Sequence, residues 1–364
     1  MPIQGKTYYI IGLMSGSSLD GLDLAYCAFK YTDSWTFNLI HCKNAPLGLW
    51  EAKLREAVHL NEEELDCLSV QFATYLAKEV QDFIQENHID KIDAVVSHGH
   101  TIYHYPEKGI TCQIGDGQTL AKLLELRIIN NLRQADMDAG GQGAPIVPIG
   151  DLLLFPSYQF CLNLGGIANI SMKTKKGILA FDICTANQVL NHYAEQAGFP
   201  YDNEGQMARK GKVNKSLLTA LNSLDFYQKI GPKSLDNGMA KLLINQINDK
   251  QGNIEMALAT YVEHIAVQIA KAVNSIALGE GLNLKPNTQI LLTGGGAFNS
   301  YLVERIQAHL NIKVLVPDDA IVSNKEAIVM AFIGVLKLRN EVNVLASVTG
   351  AKQDTSCGDI FEKD

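Results

Sequence analysis

The stretch Tyr8 to Asp23 reads Y-Y-I-I-G-L-M-S-G-S-S-L-D-G-L-D and is followed by L-A-Y-C-A-F. A run of β-formers from Tyr8 to Leu13 empties into a short turn rich in glycine and hydroxyls, and the chain then resumes as a second extended run. Gly12, Gly16 and Gly21 let the backbone approach a ligand or adopt positive φ. Ser15, Ser17 and Ser18 set hydroxyls beside backbone N–H groups, and Asp20 and Asp23 can hold a divalent cation directly or through water. This is the shape of a phosphate-cradling hairpin. It is equally the composition of an ordinary polar β-turn, and the segment taken alone does not choose between the two.

Composition narrows the rest. The chain has 364 residues, of which 47% are hydrophobic, enough for a large core and by length for two domains. No apolar stretch approaches the roughly 18 to 20 uncharged residues of a membrane span, and the first apolar run ends in a polar turn instead of a cleavage site, so a cytoplasmic location is expected. The seven cysteines are scattered, with no Cys-x-x-Cys pair and no zinc spacing, and read as reduced and mostly buried. A net charge of −8 argues against a nucleic-acid surface. An anionic ligand must then be held locally by backbone amides, a metal ion and a few placed cations.

Along the chain, Thr7 to Met14, Leu22 to Tyr31 and Trp35 to Cys42 read as a β-meander. Helical periodicity follows over Leu49 to Leu60 and Glu63 to Asn87, then a buried strand over Ile92 to Ser97 that ends at His98-Gly99-His100. A helix over Gly117 to Glu125 and a strand over Arg127 to Asn130 lead into the turn-rich A-G-G-Q-G-A-P of residues 139–145. The domain boundary is expected there, giving domains of residues 1–138 and 139–364, with the extreme C-terminus packing back on the first. The opening pattern then recurs: strands over Tyr158 to Leu164, Ala168 to Lys173 and Ile178 to Ile183, with a helix from Ala186. Helices over Met256 to Leu278, Asn299 to Leu310 and Lys325 to Leu338 alternate with strands over Gln289 to Leu292 and Lys313 to Val316. Such alternation, in an outline that repeats, predicts α/β layers and an internal duplication.

Neither a P-loop nor a Rossmann glycine fingerprint is present: Gly211-Lys212 is followed by Val213, and Gly5-Lys6-Thr7 has no glycine at the required upstream offset. What remains are three glycine turns, each directly after a β-rich run: Ser15 to Asp23, L-N-L-G-G-I-A-N at 162–169, and L-L-T-G-G-G-A-F-N at 291–299. A nucleoside triphosphate between two similar domains needs amides from both, and a glycine turn that opens a helix can lie against a purine ring.

Together with A-G-G-Q-G-A-P-I-V-P and the late S-V-T-G-A, these turns make a set, in order from about residue 8 to 351, that resembles the anhydro-N-acetylmuramic acid kinase family, within the actin-like, sugar-kinase and heat-shock ATPase superfamily. The resemblance implies an α/β, two-domain actin-like (ribonuclease H-like) fold, with duplicated βββαβαβα cores and an interdomain active-site cleft. It further implies a kinase that opens the 1,6-anhydro ring of its sugar with water and phosphorylates O6 from ATP and Mg²⁺ during peptidoglycan recycling. Asp182 would be the catalytic base. Gly16, Ser17, Ser18, Leu19, Asp20, Gly21, Leu22 and Asp23, with Gly165, Gly166, Asn169, Gly294, Gly295, Gly296 and Asn299, would bind ATP. Asp20 and Asp23 would hold the metal, and His98, Arg133, Gln142 and Glu326 the sugar. The partners implied are ATP and the anhydro amino sugar, with neither nucleic acid nor membrane, in a homodimer.

Some of these residues have ordinary readings as well. Asp182 closes the strand G-I-L-A-F-D, where a carboxylate can take a proton from an attacking water, or can cap the helix from Ala186. His98 and His100, just past a strand end, can grip sugar hydroxyls or be hydrogen-bonded surface histidines. Glu326 fits a capping box with Ser323. The family's D-T-G-P-G-N reads D-I-C-T-A-N at 182–187, its H-G-Q-T reads H-G-H-T, and the residues after Lys233-Ser234 also differ. Side chains in place of those glycines are expected to reshape the sugar pocket, so another sugar or polyol is an alternative acceptor. An actin-like protein whose ATP drives partner contact without phosphotransfer is the alternative of a different class.

Overall fold

The computed structural model describes residues 5–363 apart from 17, 18, 20, 176, 230, 232, 236, 237 and 251. In chain order the strands are β1 (Thr7–Ser15), β2 (Leu22–Tyr31), β3 (Trp35–Ala45), β4 (Ala94–Tyr105), β5 (Ile110–Ile114), β6 (Ile128–Asn130), β7 (Phe160–Leu164), β8 (Ile167–Thr174), β9 (Gly177–Thr185), β10 (Gln289–Thr293), β11 (Lys313–Leu315) and β12 (Asp359–Phe361). Two compact units divide them, one made of residues 1–155 and 324–364, the other of 156–323.

In the first unit the described strands form a seven-stranded sheet in the order β12-β6-β4-β1-β2-β3, with β5 paired to β4. β1 runs antiparallel to β2 and parallel to β4, and β4 runs parallel to β6. One face buries Ile11, Leu13, Leu22 and Leu24 with Phe72, Val80 and Phe83 of the helix Glu62–Glu86. That helix starts in a full capping box between Asn61 and Glu64. On the other face lies the helix Asp319–Leu338, whose Phe332 ring sits 5.5 Å from Phe29 and 5.0 Å from Trp35. Burial on both sides is why Tyr8 to Leu13 is a continuous apolar run instead of an alternating one.

Gly12 serves this packing. A Cβ there would stand 2.1 Å from the Ala327 carbonyl oxygen and 2.7 Å from the Ala331 nitrogen. Its smallness admits a helix backbone, not a ligand. Gly334 and Gly150 meet Val96 and Val329 in the same way, each with a side-chain carbon 2.1 to 2.3 Å from a built Cβ.

The second unit repeats the pattern. Its described strands run β11-β10-β7-β8-β9, with β7/β8 and β8/β9 antiparallel and β10 parallel to both β7 and β11. β9-β8-β7-β10-β11 has the same order and directions as β3-β2-β1-β4-β6, so the duplication is carried by topology, as the actin-like fold requires. Tyr261, Val262, Ile265 and Ile269 of the helix Ile254–Gly279 close its core against Phe160, Leu162 and Ile170.

The boundary expected at 138/139 falls instead at 155/156, with a second at 323/324. Residues 139–155 are tied to the first unit: the buried Asp136 accepts the Gly143 N–H at 2.8 Å, and Asp151 pairs with Lys325 at 2.6 Å. The helix expected from Lys325 begins at Asp319. All seven cysteines are free; Cys27, Cys161, Cys184 and Cys357 are buried, while Cys42 and Cys67 are exposed. Among the described residues no helix is long and apolar enough to cross a membrane.

Because the atoms facing Gly12 are backbone and cannot swing aside, Gly12→Ala is expected to cost about 1–3 kcal/mol. Gly279→Ala, which meets nothing within 4 Å, should stay within about 1 kcal/mol of the parent. Urea unfolding of both variants checks the contrast, and equal midpoints would contradict the packing role.

Candidate active site

In the first unit the β1/β2 hairpin closes at the Ser15–Leu22 pair. The Leu19 N–H donates to the Gly16 carbonyl at 3.1 Å, and Leu19 takes φ 58°, so the chain turns back tightly between the strands. Ser17, Ser18 and Asp20 lie outside the described residues. A Cβ on Gly21 would stand 2.6 Å from Asn44 Nδ2, the same atom that donates to Asp23 Oδ1 at 2.7 Å. Asn44 thereby fixes both the end of the turn and the Asp23 carboxylate. The Leu22 side chain is buried in the core, which leaves only its backbone for a ligand.

His98 and His100 do not follow a strand end; they lie inside β4, which runs on to Tyr105. The reason is a bulge. β4 loses register with β1 between Leu13 and Ser15, and Gly99 there takes φ 70° with the Ile114 carbonyl 2.5 Å from where a Cβ would be. His100 Nδ1 lies 2.9 Å from Ser15 Oγ, so β4 clasps the last residue before the turn. His98 Nε2 takes two contacts from Arg133, Nε at 3.0 Å and Nη2 at 2.8 Å. Guanidinium only donates, so Nε2 is the acceptor and Nδ1 carries the proton, facing the Gly99 carbonyl at 3.1 Å. Burial first, and then the Arg133 charge, push the His98 pKa down to about 3; burial lowers His100 to about 4. Both are neutral at physiological pH.

Arg133 also donates from Nη1 to the Gly143 carbonyl at 2.7 Å. Burial lowers its pKa to about 10, opposed by the nearby Glu326 carboxylate, so it stays charged. His98, Arg133 and Glu326 are therefore brought together. Gln142 sits on the loop that Arg133 grips, with an exposed side chain and its N–H bonded to the Thr349 carbonyl at 2.9 Å. Glu326 is in the interior of its helix, seven residues past Asp319, so the capping box with Ser323 does not form.

In the second unit Asp182 lies within β9, opposite Asn169 and beside a bulge at Ile183. Its Oδ2 accepts the Leu235 N–H at 3.0 Å, and its own N–H donates to the Lys233 carbonyl at 2.9 Å. The segment after Pro232 thus props the carboxylate from the backbone. No side chain caps the helix Asn187–Gln196, which removes the capping role for Asp182. Partial burial raises its pKa above the ordinary value, offset in part by the Leu235 amide. A half-buried carboxylate of raised pKa, fixed through one oxygen, has the chemistry to accept a proton at the other.

The stretch that departs from the family's pattern, with Cys184 and Ala186 at the glycine positions, is buried. Ile183, Cys184, Thr185 and Ala186 are all 2% exposed or less, and the Thr185 hydroxyl bonds the buried Tyr261 hydroxyl. The Ile183, Cys184 and Ala186 side chains belong to the core of this unit.

The two glycine turns of this unit meet. The carbonyls of Gly165 and Gly166 accept the N–H groups of Asn187 and Ala186, at 3.1 and 2.7 Å. A Cβ on Gly294 would stand 2.4 Å from Asn163 Oδ1, and one on Gly296 would stand 2.7 Å from Leu164 Cβ. Those two glycines are needed by the protein itself. Gly165 and Gly295 differ, since their built Cβ atoms find nothing nearer than 3.5 and 3.7 Å and neither has positive φ. Asn299 is the N-cap of the helix Ser300–His309, its Oδ1 accepting the Leu302 N–H at 2.9 Å. Among the described residues no group of three or more His, Cys, Asp or Glu stands ready to hold a cation.

A profile of the anhydro-N-acetylmuramic acid kinase family matches residues 8–363. Proteins of that name from Haemophilus influenzae and from Francisella tularensis subsp. novicida are similar throughout. The first is 31% identical, covering 100% of both chains, and the second is 32% identical, covering 97% of this chain and 98% of its own. Among solved structures, an ADPNP-bound activator of the 2-hydroxyisocaproyl-CoA dehydratase from Clostridium difficile covers 92% of this chain and 98% of its own, at 14% identity and a TM-score of 0.42. With a profile match over nearly the whole chain and relatives similar along their full length, this chain belongs to the anhydro-N-acetylmuramic acid kinase family.

Proposed function

We propose that this protein transfers the γ-phosphate of ATP to O6 of 1,6-anhydro-N-acetylmuramic acid while water opens the anhydro bridge. The observation that carries the reading is Asp182, half-buried, propped by Leu235 and raised in pKa. Water attacks C1 of the sugar and gives its proton to Asp182. The C1–O6 bond breaks, O6 attacks the γ-phosphorus, and the bond from phosphorus to the β,γ-bridging oxygen breaks to release ADP. No further base is needed, because the proton lost by water ends on the carboxylate. Positioning and electrostatic stabilisation then supply most of the rate.

The first hairpin, Gly16 to Asp23, and the second, at Gly165 and Gly166, offer amides to the phosphates, with Asn169 beside Asp182. Gly294 to Gly296 form the floor for the adenosine, and Asn299 holds that floor through its cap. His98, Arg133, Gln142 and Glu326 receive the sugar, the neutral imidazole and charged guanidinium being suited to its oxygens. Magnesium fits a site of this kind, because a phosphate-borne ion takes only one or two carboxylates beside water and phosphate oxygens, and Asp23 can supply one. The ion would neutralise charge on the β- and γ-phosphates. We place the protein in the cytoplasm as a homodimer, the form the resemblance implies.

Purified protein given ATP, Mg²⁺ and the anhydro sugar should yield the ring-opened 6-phosphate. ATP binding without sugar-dependent ADP release would overturn the assignment. Asp182→Asn should lower kcat by about 10²- to 10⁴-fold with little change in ATP affinity. Since the base acts only when ionised, activity should fall as pH drops through its raised pKa, placing the acid limb above the ordinary aspartate value of about 3.9. The residual activity of Asp182→Asn should lack that limb; a limb unchanged in the variant would assign it to another group.

The glycines separate ligand space from packing space. Gly165→Ala and Gly295→Ala should fold with unchanged unfolding midpoints yet bind ATP at least about tenfold more weakly, because the protein has room for the methyl group. Calorimetric titration with ATP checks this, and wild-type affinity in both variants would remove these turns from the nucleotide site.

A further inference from the structure

The C-terminal segment lies on the loop that carries Gln142. Thr349 is 1% exposed, and its hydroxyl donates to Asp136 Oδ1 at 2.8 Å. Asp136 is fully buried, and its Oδ2 accepts the Gly143 N–H at 2.8 Å. The Gly143 carbonyl in turn accepts Arg133 Nη1 at 2.7 Å. Two backbone bonds run alongside, from the Gln142 N–H to the Thr349 carbonyl at 2.9 Å and from the Lys352 N–H to the Ala139 carbonyl at 3.1 Å. Gly141 presses so closely on the carboxylate that a Cβ would stand 2.2 Å from Asp136 Oδ2 and 2.8 Å from Ala351 Cβ. Neither Thr349 nor Asp136 needs to touch a ligand for these bonds to matter.

We propose that Thr349 and Asp136 form a positioning latch, by which the C-terminal segment fixes Gln142 and Arg133 for the acceptor sugar. The inference rests on the reading that these two residues receive the sugar. A carboxylate only accepts hydrogen bonds, so the Thr349 proton goes to Asp136 and leaves Asp136 Oδ2 to draw the Gly143 amide inward. The loop from Ala139 to Gly143 is thereby held at its start by Lys352, at its centre by Thr349 and at its end by Asp136. Arg133, bonded to both Gly143 and His98, is set by the loop on one side and by β4 on the other.

Thr349→Val keeps the shape and removes the donor, whereas Thr349→Ser keeps the donor. In Thr349→Val, amide exchange in peptides covering 139–145 should accelerate by about tenfold or more while the rest of the unit is unchanged. The same variant should lose about tenfold in kcat/KM for the sugar, mainly through KM, with ATP affinity within about twofold of wild type. Thr349→Ser should return both readouts close to wild type. Should Thr349→Val not fold, because a methyl group then faces the Asp136 carboxylate, Thr349→Ala removes the same proton and leaves that space open, and the same result is expected.

Unchanged exchange at 139–145 would overturn the latch, as would failure of the serine variant to restore it. Faster exchange with an unaltered sugar kcat/KM would overturn its role in acceptor binding, and equal losses toward ATP and sugar would reduce it to general stability. A wild-type protein that turns over no anhydro sugar would overturn the functional reading and the acceptor half of the proposal, while the exchange comparison by itself still decides whether the latch holds the loop.

Discussion

At Gly12 a helix backbone occupies the place where any other residue would carry its side chain, and much of the first unit follows from that approach. β1 lies between β2 and β4, with the helix Asp319–Leu338 on one face and the helix Glu62–Glu86 on the other. A strand held on four sides cannot slide, so its last residue, Ser15, is a fixed point. His100 clasps that point, and two residues earlier on the same strand His98 is gripped by Arg133. One strand thus fixes both the start of the turn proposed for phosphate and the guanidinium proposed for the sugar.

The second unit solves the same problem with different parts. Its hairpin turn at Gly165 and Gly166 has carbonyls that receive the first amides of a helix, and a second glycine turn packs beneath it at Asn163 and Leu164. Asp182 stands one strand further on, where a bulge interrupts the ladder and the Leu235 amide takes one carboxylate oxygen. A chain of net charge −8 has no global attraction for a triphosphate. Local dipoles and a few cations must hold it, and both units are arranged to present backbone at their strand ends.

The core strands and the duplicated outline were readable in the chain because each is a run of apolar residues bounded by glycine or polar turns, whereas the short edge strands β5 and β12, partly exposed, gave no such run. What escaped had local causes that periodicity does not carry. His98 and His100 looked as if they followed a strand because Gly99 breaks the pattern, yet positive φ at that glycine makes a bulge through which β4 continues. Glu326 looked like a helix start because it fits a capping box with Ser323, but the apolar face of the helix begins earlier and Asp319 opens it. The glycine loop at 139–145 read as a domain boundary, yet the buried Asp136, Arg133 and the backbone of Thr349 and Lys352 all tie it to the first unit. Cys184 and Ala186 stood where glycines were expected near a ligand, and which way their side chains point cannot be seen from spacing.

In the proposed reaction water opens the bridge at C1, so that the bridge oxygen becomes the phosphoryl acceptor. Anhydro sugar labelled with oxygen-18 in the bridge, turned over with ATP and examined by phosphorus NMR and mass spectrometry, tests it most directly. Label in the link between C6 and phosphorus is the predicted result. Label on the C1 hydroxyl, with unlabelled oxygen joining C6 to phosphorus, would contradict it.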